Sequence, residues 1–258
     1  MTATMPAVFV GHGSPMNTLE HNRYTEAWHD FGRSIPTPTA ILAISAHWYV
    51  NATAVTAMAQ PRTIHDFGGF PQALHEVQYP APGSPALAGR VADLLPTDVY
   101  LDESQWGLDH GTWSILVHMF PESDVPVVQL SIDANKSFDE HLALGAALAP
   151  LRDEGVLVVA SGNVVHNLRA IDWGAPGAGA PWAQAVDEAG RSLMATAPAR
   201  ITELATHEHF LRAAPTPDHF IPLLYVAGLA GAADVTADVL VGGYDYGSLS
   251  MTSYVVAA

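Results

Sequence analysis

Val156-Leu157-Val158-Val159-Ala160 is apolar at every position and stops at Ser161-Gly162. A strand with one wet face alternates apolar and polar residues, so an unbroken apolar run of this length predicts a strand covered on both faces. Three other stretches read the same way: Ala7-Val8-Phe9-Val10 before Gly11, Ala40-Ile41-Leu42-Ala43-Ile44-Ser45 before His47, and Val125 to Ile132. Helical patterns lie between them. Ser84 to Leu95 opens on a serine cap followed by proline. Ser137 stands three residues before Glu140 in Ser137 to Leu151, the spacing of a capping box. Pro181 to Thr196 and Asp218 to Leu229 are two more, the last with Asp218 as its expected cap. Val235 to Val256, rich in Val, Tyr, Thr and Gly, predicts a hairpin or edge strands. Gly174 to Pro181 reads as a loop, and nothing else resembles a linker. The expectation is one α/β domain over residues 1–258, its central sheet sandwiched between helices.

Composition narrows the chemistry. Lys+Arg is 10 against 26 Asp+Glu, a formal net charge of -16. Nucleic acid and anionic membranes demand a basic footprint, so neither is an expected partner. There is no cysteine among the 258 residues, which removes disulfides, thiolate metal sites and cysteine nucleophiles together. A metal would have to be held by histidine, carboxylate or water, and histidine is plentiful at 13 copies. Met1 to Val10 lacks a basic segment before its apolar residues, so no secretory signal is expected. The longest apolar stretch, Phe220 to Ala233, contains Pro222 and is too short to span a bilayer. A cytoplasmic location follows as the expectation, and the sequence carries no signal for an oligomeric state.

Ligands of open α/β sheets bind beyond the carboxyl ends of the strands. His12 follows the first buried run, His47 the second and His166 the fourth. One histidine after a strand is ordinarily a hydrogen-bonded structural residue, whereas three at one sheet edge raise metal binding or catalysis. His12 sits in Gly11-His12-Gly13-Ser14-Pro15, where glycines allow a sharp turn and a close approach to a ligand. Ser14 faintly suggests a nucleophile, but the surrounding residues are not the G-x-S-x-G elbow. Asn163 and Asn167 flank the approach to His166 and could orient a substrate or merely close a loop. His219 follows Pro215-Thr216-Pro217-Asp218 at a helix start, and His110 stands beside Asp109, a residue able to tune it. His65 lies in a Gly- and aromatic-rich loop, Thr63 to Pro71, that could wall an apolar pocket. The remaining histidines read as surface or packing residues. There is no H-E-x-x-H, P-loop or dinucleotide fingerprint, which disfavours zincin proteases and nucleotide chemistry.

Five segments then resemble one family in order: Gly11 to Pro15 (GHGSP), Ser45 to Trp48 (SAHW), Asp109 to Trp113 (DHGTW), Ser161 to Arg169 (SGNVVHNLR) and Pro215 to Tyr225 (PTPDHFIPLLY). The pattern is similar to the class III extradiol ring-cleavage dioxygenases, in the DOPA 4,5-dioxygenase branch, from about Val8 to about Tyr254. The resemblance implies one divalent metal per chain, Fe(II) or Zn(II), with His12, His47 and His219 as ligands. It implies His166 as the acid–base residue, able also to reach the metal, and His110 as a second catalytic histidine. Ser14, His65 and Asn163 are the expected substrate contacts. The implied reaction opens the ring of a DOPA-like catechol with O2 to a muconic semialdehyde. More distant class III enzymes use two histidines and a carboxylate, whereas this chain offers His219 with Asp218 beside it. Three imidazoles also match hydrolytic zinc sites, so a zinc hydrolase stays open, as does a non-catalytic binding protein on the same fold.

Overall fold

The structure, a computed structural model, describes residues 4–258; the first three residues of the expected domain and of the Met1–Val10 stretch lie outside the described residues. Among the described residues ten strands form: β1 (Ala7–Gly11), β2 (Ala40–Val50), β3 (Ala54–Thr56), β4 (Tyr100–Asp102), β5 (Val127–Asp133), β6 (Val156–Gly162), β7 (Asp238–Val241), β8 (Tyr244–Asp245), β9 (Leu249–Ser250) and β10 (Ser253–Val256). Eight of them make one sheet in the order β4-β3-β5-β2-β6-β1-β10-β7, and β8 pairs with β9. The four apolar runs are its centre. β2 runs parallel to β5 and β6, and β6 parallel to β1, with Ser45 opposite Ser161 and Gly11 opposite Gly162. Those carboxyl ends therefore share one rim of the sheet.

Alternate residues of each central strand enter opposite cores, as the two-residue period of a strand requires. Phe9, Leu42, Ile44 and Val158 face one layer, formed largely by the helices Phe138–Ala147, Pro181–Thr196 and Ile221–Ala232. Val8, Val10, Ile41 and Val159 face the other, where Trp28 and Phe31 of helix Arg23–Ser34 meet Trp113 and Leu116 of helix His110–Met119. The sandwiched sheet expected from the sequence is present.

Local signals hold in part. Ser84 and Ser137 cap their helices, and the Ser137–Glu140 box is complete. The helix expected from Asp218 instead begins at Ile221 without a side-chain cap, because the Asp218 carboxylate is engaged by the His219 ring. β2 continues through His47 to Val50, with a register shift against β5 between Ile44 and Tyr49. The C-terminal stretch supplies the edge strand β7, but β10 is interior, antiparallel to both β1 and β7. Among the described residues no helix is long and apolar enough to cross a membrane.

Candidate metal and catalytic centre

The rim gathers five histidines into one cleft of about 400 Å³, lined at its inner end by His12, His47, His110, His166 and His219. His12 leaves the end of β1, 2 % exposed. Its Nδ1 lies 2.8 Å from Ser161 Oγ, while Ser161 donates its own hydroxyl proton to the Gly111 carbonyl at 2.5 Å. Ser161 therefore accepts from His12, which fixes the proton on Nδ1 and leaves a lone pair on Nε2. That Nε2 stands 3.3 Å from His47 Nε2. His47 in turn directs Nδ1 at Asp66 Oδ2, 3.1 Å away. Two imidazoles with their outer nitrogens engaged thus aim their inner nitrogens at each other, an arrangement that a cation between them would relieve.

His219 is held in the same manner, its Nδ1 against Asp218 Oδ2. Its ring centroid lies 5.3 Å from that of His12 and 5.1 Å from that of His47. His110 opens its helix behind Asp109, which caps Thr112 N–H rather than gripping the His110 ring. The His110 and His47 centroids are 3.8 Å apart. Ring nitrogens of His12, His47 and His110 lie within 4.8 Å of one another, close enough for one ion. His110 Nδ1 is 3.0 Å from Asp66 Oδ1, but that oxygen takes the His110 backbone N–H and the ring nitrogen has no aligned hydrogen bond. His166 stacks on His219.

Electrostatics follow from burial and two carboxylates. Burial, reinforced by His47, His219, His110 and His166, holds His12 well below the usual histidine range. Burial likewise lowers His166 to about 2 and His219 to about 4, with Asp218 opposing it. Burial pulls His47 down too, yet its hydrogen bond to Asp66 and the charges of Asp109, Asp66 and Asp218 outweigh that and raise it. Burial raises Asp66, but His110 and His47 together hold its carboxyl well below the ordinary range. Neutral imidazoles are the form that ligates a metal or accepts a proton.

The expected substrate contacts separate. Ser14 lines the cleft, but its Oγ accepts Met16 N–H to cap a 3-10 turn and has no histidine partner among the described residues. His65 is turned away, its Nε2 on the Val77 carbonyl, while Phe67 and Phe70 of the same loop form the wall. Asn163 is fully buried behind the site. Its backbone N–H holds the His219 carbonyl and its side chain the Ser250 carbonyl. The residues that sequence reasoning passed over are the orienting groups Asp66 and Ser161. Asp66 adjoins His65 in the quoted loop, and a carboxylate beside an aromatic-rich turn was the available signal. A second hollow of about 470 Å³ beside β7 contains no histidine and is unrelated to this chemistry.

Comparisons with known proteins place the chain in a family. Residues 6–257 match the LigB model, described as the catalytic LigB subunit of aromatic ring-opening dioxygenase. The chain is 50% identical over 255 residues to a 4,5-DOPA dioxygenase extradiol of Escherichia coli K12, covering 96% of this chain and 93% of that one. It is 38% identical to the protein of the same name from Beta vulgaris, covering 95% and 94%. A crystal structure of an uncharacterized Escherichia coli K12 protein superposes with a TM-score of 0.86 at 44% identity, over 98% of this chain and 100% of that one. With the whole sheet and all five histidines inside the matched span, the chain belongs to the LigB family of aromatic ring-opening dioxygenases.

Proposed function

We propose that the protein is a metal-dependent extradiol dioxygenase that opens a DOPA-like catechol beside its diol, using O2, to a muconic semialdehyde. The observation that carries this reading is the opposed pair His12 Nε2 and His47 Nε2, 3.3 Å apart with both outer nitrogens engaged. Two nitrogens each about 2.0–2.1 Å from one cation at a tetrahedral angle stand about 3.3 Å apart, so the donor set fits a divalent metal. His219 is the third ligand on the same logic, because Asp218 fixes its ring as carboxylates orient metal-bound histidines. Fe(II), or Zn(II) as an alternative occupant, would supply Lewis acidity toward the diol and, in the case of iron, redox contact with dioxygen.

The chain's own residues then handle protons and position. His166, half-buried and stacked on His219 in the wall of the cleft, accepts a diol proton as the catechol settles on the floor. His110 lines the same floor with its Nδ1 facing the Asp66 carboxylate at 3.0 Å, and is the second histidine within reach of the reacting oxygens. Phe67 and Phe70 give the ring an apolar wall and limit water at the reacting carbons. Both atoms of O2 enter the product, so no further reductant is needed. The test is anaerobic loading with Fe(II) followed by oxygen uptake on a catechol panel. One O2 consumed per catechol, with a yellow ring-opened product, is expected. No oxygen uptake with any catechol would overturn this reading.

A further inference from the structure

The cleft changes character from floor to mouth. At the floor His12, His110 and His219 are buried at 2 %, 5 % and 7 % exposure, whereas Trp173 at the mouth is 73 % exposed. Glu20 and Asp245 line the cavity together with Trp173 and Tyr246, and no lysine or arginine lines it. The Trp173 and Tyr246 rings meet at 4.9 Å between centroids, tied by Asp172 N–H on the Tyr246 carbonyl at 2.9 Å. Tyr246 sits at φ 49, a left-handed conformation that a bulky residue adopts only when held there. Asp245 helps to hold it, its Oδ1 accepting the Tyr246 and Gly177 N–H groups at 3.1 Å each. The second Asp245 oxygen has no hydrogen-bond partner among the described residues. Glu20, Asp245 and Tyr246 line the same mouth, and both carboxylates raise the Tyr246 phenol, Asp245 the more strongly.

We infer that this mouth selects catechols whose side chain ends in a cationic amine: Glu20 and Asp245 pair with the ammonium while Trp173 and Tyr246 present ring faces to it. The inference rests on the ring-opening reading, which places the diol on the histidine floor and so points the substituent outward. Ring faces attract an ammonium and repel a carboxylate, and two acids in a lining without lysine or arginine reinforce the choice. The overall charge of -16 favours arrival of the same cation. An anionic side chain finds no partner along the way.

The test uses the metal-loaded holoenzyme and three catechols, carrying an aminoethyl, an ethyl or a carboxyethyl side chain. Binding is read anaerobically by calorimetry, and turnover separately by oxygen uptake. The amine should bind roughly tenfold tighter than the ethyl compound, the sum of an exposed ion pair and a cation–π contact, with the acid weakest. In Glu20→Gln and Asp245→Asn, singly and together, the amine-to-ethyl ratio should fall toward one. Glu20→Gln removes no hydrogen bond that orders the Tyr246 turn, so it keeps the test valid if Asp245→Asn folds poorly. Equal binding of acid and amine, or an amine preference that survives the double substitution, overturns the inference. Oxygen uptake without any charge order sinks this inference alone. Charge-ordered binding without oxygen uptake sinks the ring-opening reading and leaves amine recognition standing.

Discussion

The rings of His166 and His219 lie face to face, their centroids 3.5 Å apart and their planes 2° from parallel. His219 is held by Asp218, so the stack holds His166 beside a proposed metal ligand without using its ring nitrogens. Position and ligation are thereby separable. His166→Ala should retain stoichiometric metal after dialysis and lose about 10²- to 10⁴-fold in turnover, the usual contribution of a positioned acid or base. Normal turnover in that variant would remove the assigned role.

Asp66 joins two histidines through its two oxygens, Oδ2 to His47 and Oδ1 to the His110 backbone. Asp66→Asn removes the negative charge behind His47 and leaves one acceptor oxygen where the two histidines now use two. Metal affinity, measured by competition with a chromophoric chelator, should fall about 10- to 100-fold, as for other orienting partners of metal ligands. Unchanged affinity would show that His47 needs no carboxylate behind it.

Gly162 ends β6 where a β-carbon would overlap the His219 carbonyl. The backbone must move for any side chain to fit, and the group that moves carries a proposed ligand. Gly162→Ala should cost more activity than Gly89→Ala, since a β-carbon at Gly89 meets nothing within 4 Å. Steady-state rates at equal metal content make the comparison. Equal activity in the two variants would show that the His219 loop is not confined by β6.

His141 offers a pH test away from the cleft. It is fully buried, bonded through Nδ1 to Tyr225 Oη at 3.0 Å, and burial lowers it to about 4 against weaker support from Asp133. Between about pH 6.5 and pH 4 the unfolded chain binds the proton and the folded one does not. Stability is therefore full above 6.5 and falls as the solution is acidified through that window, by up to about 3 kcal/mol from this residue. Urea midpoints for His141→Phe should show a shallower acid decline than the parent. A parallel decline would assign the pH dependence to other groups.

Much of the site could be read from the sequence, because buried parallel strands are long apolar runs and their ends lie on one rim. His12 and His166 were placed by that rule alone. His47 belongs to the strand itself, since β2 outlasts its apolar run and shifts register before Tyr49. Three-residue strands such as β3 and β4 carry too few positions for a pattern. The orienting partners were hidden for another reason. Ser161 meets a histidine 149 residues away, and a hydrogen bond across that separation leaves no local trace. Asp218 reads as a helix cap by position, but the adjacent imidazole is the stronger claimant for its carboxylate.

The proposed triad differs by one residue from the tightest grouping of ring nitrogens, which contains His110 in place of His219. Crystals soaked anaerobically with Fe(II) and measured at the iron absorption edge distinguish them directly. The expected result is a single anomalous peak per chain at about 2.1 Å from nitrogens of His12, His47 and His219, with His110 outside bonding distance. A peak bound by His110 and not by His219, or no peak between His12 and His47, would contradict the account.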